Sequence, residues 1–193
     1  MKEGYKCVTR FIGARNLSTE ERVQDDFYAT EPKAAEWLLK IEDLNKRIWE
    51  PACGQGHLAK VFLRHGHYVL STDLVDRGFG TGGIDFLKIN DPCYGDIVTN
   101  PPFKYAQEFI EHALELIPEG NKVCMILRLQ FLEGAKRKAF FEKYPPKRVW
   151  VSSSRIQFAN NGMFGDKTKS MLATAWYVWE KGYKGDTILK WFN

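Results

Sequence analysis

Asn100-Pro101-Pro102-Phe103 puts a side-chain amide, a carbonyl with no N–H beside it and an aromatic ring into four consecutive positions. The run Asp96-Ile97-Val98-Thr99 leads straight into it and reads as a buried parallel strand. The two prolines forbid continuation as strand or helix and fix the local backbone direction. Acceptors are thereby held at a strand's C-terminal end, where open α/β sheets place their ligands. Acceptors beside an aromatic plane suit the gripping of a planar exocyclic amine. The bland alternative is a turn that merely stops a strand, with Phe103 in the core.

An upstream turn weighs against the bland alternative. Glu50 ends a short strand, and Pro51-Ala52-Cys53-Gly54-Gln55-Gly56 follows it before a helix expected over His57–His65. Glycines let the backbone approach a bound molecule and tolerate positive φ. A helix starting near His57 offers free N–H groups to a carboxylate or phosphate. Asp73 lies 17 positions beyond Gly56, at the end of the second strand, placed to accept both hydroxyls of a ribose. In isolation it reads better as a solvated loop aspartate; coupled to the glycine turn, the ribose reading is favoured. Asp85-Phe86 adds a carboxylate and an apolar ring, suited to an adenine's amine and face. His57, His65, His67 and His112 form no triad or metal set and read as structural or surface residues.

These residues need a scaffold that brings strand ends together. Thr30-Glu31-Pro32 predicts a helix start with Thr30 at the cap, running through Trp37, Leu38 and Ile41. Strands are expected at 47–50, 68–73, 97–99, 123–127, 148–151 and 173–179, with helices at 105–117 and 135–144. This alternation implies a doubly wound, mostly parallel α/β sheet. The last two strands lack a strong helix between them, which predicts an antiparallel hairpin at the edge. Residues 1–24 are polar and irregular and read as a mobile arm; residues 25–193 form one domain.

The 193 residues suffice for a single full core. A net charge of +4 permits a polyanionic partner without demanding one. No stretch approaches a membrane span, and the first ten residues lack the continuous apolar region expected of a signal peptide. Cys7, Cys53, Cys93 and Cys124 have neither pairing nor metal-ligand spacing, so no metal is expected and a reducing cytoplasm is the expected setting. Arg128, Lys136, Arg137, Lys138, Lys143, Lys147, Arg148, Arg155, Lys167 and Lys169 follow the proline segment. Most read as solvated faces, with a phosphate-contacting subset open. The stretch 155–165 mixes amide, aromatic and glycine residues and reads as a loop bearing on a substrate.

On these motifs the chain resembles S-adenosylmethionine-dependent amino-methyltransferases, most closely the small phage-type DNA N6-adenine methyltransferases, over residues 25–192. Phe27-Tyr28-Ala29-Thr30-Glu31-Pro32 is similar to that family's N-terminal cofactor motif, and Glu50 to Leu58 to its glycine-rich loop. The resemblance implies a Rossmann-like class I fold and S-adenosylmethionine as cofactor. It implies Tyr28, Thr30, Glu50, Pro51, Ala52, Cys53, Gly54, Gly56, His57, Asp73, Leu74, Asp85, Phe86 and Asn100 as cofactor contacts. It implies Asn100, Pro101, Pro102 and Phe103 as the catalytic segment. The implied partner is DNA, double-stranded, in a bacterial or phage-infected cell. RNA adenine, a protein glutamine amide, or a non-catalytic binding module remain open readings of the same residues. The chain departs from larger relatives in having no long insert for a separate target-recognition domain.

Overall fold

The computed structural model describes residues 28–159, 164 and 172–193. The expected arm, Phe27, Lys167, Lys169 and most of the loop beyond Ala159 lie outside the described residues. In chain order the elements are β1 (Ala29–Thr30), α1 (Lys33–Ile41), β2 (Arg47–Glu50), α2 (Ala59–Arg64), β3 (Tyr68–Ser71), β4 (Asp96–Thr99), α3 (Ala106–Leu116), β5 (Lys122–Arg128), α4 (Ala135–Lys143), β6 (Arg148–Ser152), β7 (Phe158–Ala159), β8 (Thr174–Glu180) and β9 (Ile188–Phe192).

Seven strands form one sheet in the order β3-β2-β4-β5-β8-β6-β9. β8 alone runs antiparallel, between β5 and β6; the remaining pairs are parallel. Alternation along each strand sends side chains to two separate cores. Ile48, Val98, Cys124, Ile126, Trp176 and Val178 pack against Ala34, Ala35 and Leu38 of α1 and Val61 and Phe62 of α2. Trp49, Ile97, Val123, Met125, Leu127, Tyr177 and Trp179 pack against Phe109, Ile110 and Ala113 of α3 and Phe140 of α4. A sheet covered on both faces needs apolar residues at consecutive positions, which is why its central strands read as unbroken apolar runs. Each large side chain so buried contributes about 1.5–3 kcal/mol. Trp176 also ties the layers by donating its Nε1–H to the Ala34 carbonyl, 3.0 Å away.

Three expectations change. Thr30 does not cap α1; it pairs with Phe158 in the two-stranded β1–β7 sheet, and Pro32 stands at the helix start with no side-chain cap. α2 begins at Ala59 rather than His57, because Gly54 (φ 54°) and Gly56 (φ 77°) hold the preceding residues in turns. β6 and β8 do pair antiparallel, but they are not the edge. β9 adds in parallel outside β6 through five register pairs, Arg148 to Ser152 against Ile188 to Phe192. Four of β9's five side chains are exposed, so it lacks the buried alternation that marks a strand in sequence.

Candidate active site at the strand ends

The chain leaves β2 on the β3 side and returns through β4 on the other. The crevice beyond the C-terminal ends of β2 and β4 is therefore the topological switch point of the sheet. The glycine turn rises from β2 and the proline segment from β4, so the sheet brings the two motifs together.

Asn100 is fixed from a distance. Its Nδ2 donates to the Tyr28 carbonyl at 3.1 Å, and that orients the amide, since a carbonyl can only accept. Its Oδ1 is buried and has no hydrogen-bond partner among the described residues. The Pro102 carbonyl accepts from Tyr105 N–H at 2.9 Å. No donor among the described residues bonds the Pro101 carbonyl, which leaves two acceptors open side by side. Phe103 follows, partly exposed, with Phe158 at a ring separation of 6.5 Å. β1 and β7 accomplish this placement: their pairing carries both Tyr28 and Phe158 to the end of β4.

The glycine turn is held by the end of β3. Cys53 N–H donates to the Thr72 carbonyl at 3.0 Å, and Gly54 N–H to Asp73 Oδ2 at 2.8 Å. Asp73 Oδ1 accepts from Val75 N–H at 2.9 Å. Both Asp73 oxygens thus already brace backbone, and each keeps lone-pair capacity for a hydroxyl. A Cβ at Gly56 would strike the Phe79 ring, so the glycine is required by space as well as by its φ of 77°. Phe79, covered by Lys60 Nζ at 4.9 Å, is a wall of the turn that no sequence motif marks. His57 meets Phe164 edge-on at 5.2 Å.

Glu50 lies beneath this turn, 2% exposed, with Oε2 unpartnered among the described residues. Burial pushes its carboxyl well above the usual range, helped by the nearby Asp73 charge and opposed by the Ala59 N–H. The same burial, with Glu50 and Asp73 adding, pushes the Cys53 thiol up to about 12, so it is inert. Burial and the Lys60 charge lower the His57 value.

Other expected contacts are placed differently. Phe86 is 2% exposed, its ring enclosed by Trp49 at 5.2 Å, Phe109 at 4.9 Å and His112 at 5.0 Å, so it belongs to the core. Asp85 starts a short 3-10 turn, accepting Leu87 N–H at 3.2 Å and pairing with Lys88 at 2.9 Å. Leu74 is exposed; Thr30 and Pro51 are buried, and Ala52 partly so. Of the basic residues, Lys138, Lys147 and Arg148 pair with Glu142, Glu180 and Glu42. Arg137 donates to the Gln130 and Glu133 carbonyls. Arg128 reaches the proline segment, its guanidinium 4.5 Å from the Phe103 ring centre. No group of three His, Cys, Asp or Glu among the described residues could hold a metal ion. No helix among them is long and apolar enough to cross a membrane.

No protein-family model matches the sequence, and no curated protein does. Solved structures match by fold. The M protein of the type I restriction enzyme EcoKI aligns at a TM-score of 0.59 and 16% identity, over 83% of this chain and 45% of its own. A putative RNA methyltransferase from Pyrococcus horikoshii aligns at 0.54 and 16%, over 78% and 82%. An S-adenosylmethionine-dependent O-methyltransferase from Thermotoga maritima aligns at 0.55 and 11%, over 80% and 67%. The chain has the Rossmann-like fold of the S-adenosylmethionine-dependent methyltransferases.

Proposed function

We propose that this fold carries S-adenosylmethionine-dependent methyl transfer to N6 of adenine in DNA, of the small phage-type kind. The carrying observation is the state of Asn100: Nδ2 anchored on Tyr28, Oδ1 buried and open. A buried acceptor left unpaired is costly, so a site that retains one has a donor to receive.

The residues present fit the cofactor. The glycine turn permits close backbone approach, Asp73 retains acceptor capacity for ribose hydroxyls, and Glu50 offers an unpartnered oxygen suited to an ammonium. When bound, the cofactor supplies an electrophilic sulfonium methyl. The chain's own task is to present the amine. Adenine N6 is a poor nucleophile because its lone pair is delocalised into the ring. Asn100 Oδ1 and the Pro101 carbonyl would accept its two hydrogens and favour the pyramidal, positively charged nitrogen. Fixed dipoles facing developing charge stabilise it without reorganisation. No base is needed before attack, which accounts for an amide at this position. Phe103 would stack on the adenine, and in duplex DNA that base has to leave the stack to reach the clamp.

The test is methyl transfer from labelled S-adenosylmethionine to unmethylated duplex DNA, with nucleosides resolved after digestion. Label in N6-methyladenine is expected. Label confined to RNA or to glutamine amides would replace the acceptor while keeping the clamp. Cofactor binding with no transfer to any acceptor would leave a binding module.

A further inference from the structure

We infer that Arg128 binds a phosphate beside the target base, so that the acceptor site is built for a polynucleotide. This rests on the reading of Asn100 as an amine clamp. Arg128 ends β5, immediately beyond β4 and on the side away from β2 and β3. The glycine turn and Asp73 occupy the β2–β3 side, so Arg128 faces the acceptor's half of the crevice.

The side chain is partly buried, and its Nε is fully buried with no hydrogen-bond partner among the described residues. No acid among them pairs with it, and its guanidinium lies against the Phe103 ring. Arg148, partly buried at the far edge, is instead gripped by both oxygens of Glu42. A half-buried guanidinium without a counter-charge marks a place where an anion arrives from outside. Its fork geometry suits a phosphate bidentately. The stack on Phe103 holds the fork in place and takes one ring face, leaving the target base the other. A protein amide carries no such anion.

The experiment uses the full chain and a duplex bearing the site that it methylates. The same duplex is also prepared with a neutral methylphosphonate replacing the phosphate on either side of the target adenine. Arg128→Met is expected to raise KM for DNA about tenfold and reduce the salt slope of log KM by about one. S-adenosylhomocysteine affinity should stay within about twofold, since the residue lies outside the cofactor's half. One methylphosphonate should raise the wild-type KM by a similar factor and have no further effect in the variant. Arg128→Lys, which keeps charge without the fork, should recover part of the loss and serves if the Met variant folds poorly. Unchanged KM and salt slope in a DNA-methylating protein would overturn the phosphate role and leave the proposed function standing. Additive effects of variant and methylphosphonate would also overturn it, making Arg128 a prop for Phe103. A wild-type chain that methylates no nucleic acid overturns both readings. Acidic peptides weakened by Arg128→Met would then assign the guanidinium to a carboxylate.

Discussion

At the edge where β4, β5 and β6 begin, buried charges are matched; at the edge where β2, β4 and β5 end, buried polar atoms are left open. On the first edge Glu42 receives Arg148 and the Trp150 Nε1–H, with Lys122 at 3.3 Å. Burial alone would raise its carboxyl, yet these bonds and charges carry it below the usual range. Asp96 accepts Asn45 N–H at 2.7 Å and Lys122 N–H at 2.8 Å. On the second edge Glu50 Oε2, Thr99 Oγ1, Asn100 Oδ1, Arg128 Nε and Thr174 Oγ1 have no partner among the described residues. One sheet thus carries buried polarity in two states, satisfied where it fixes its own strands and unsatisfied, among the described residues, at the edge proposed to receive a ligand. The lesson is that burial of a charge says little; its state of satisfaction separates scaffold from site.

Breaking each edge should have a different signature. Glu42→Ala strands Arg148 and Lys122 without their anion and should lower stability by about 3–5 kcal/mol in urea unfolding. Activity per folded molecule should be retained, and a selective loss of kcat would place Glu42 in the site. Asn100→Ala should do the reverse. Methyl transfer should fall about 10²–10³-fold in kcat, while stability shifts by about 1 kcal/mol from the lost bond to Tyr28. A matching collapse in stability would make Asn100 a structural staple.

Glu50→Gln sharpens the comparison with the smallest effect. The folded carboxyl titrates above its ordinary value of 4.5 because of burial, so the folded state holds a proton that the unfolded chain releases. Its contribution is fully present below the ordinary value and is lost as pH rises through the raised one. The Gln variant lacks that loss, so its stability should exceed the wild type's increasingly as pH rises above the ordinary value of 4.5. Parallel stability curves would mean that Glu50 is ionised and paired. Cofactor affinity should weaken in the variant, since Gln cannot release a proton to give the acceptor-only carboxylate that an arriving ammonium would pair with.

Much of the scaffold was legible because local period carries it. Ile97-Val98-Thr99 and Val123 to Leu127 are buried on both faces and read as strands directly. The glycine turn and the proline segment were legible because few residue types tolerate those backbones. Two-residue β1 and β7 have no period to read, and exposed β9 has no buried alternation. Phe86 looked like a ligand face beside Asp85, and only its enclosure by Trp49, Phe109 and His112 assigns it to the core.

By itself the sequence determined the strand–helix alternation, the turn chemistry at Gly54 and Gly56, and the placing of two acceptors, Asn100 and Pro101, at the end of a strand. Each is set by residues within a few positions of one another. Tertiary structure alone decided which polar groups are spent. Asn100 meets Tyr28 across 72 residues, Arg148 meets Glu42 across 106, and Arg128 lies against Phe103 through the pairing of β4 with β5. Basic residues look alike in sequence; desolvation and the nearest partner, both products of the fold, separate Arg128 from Arg137, Lys138, Lys147 and Arg148.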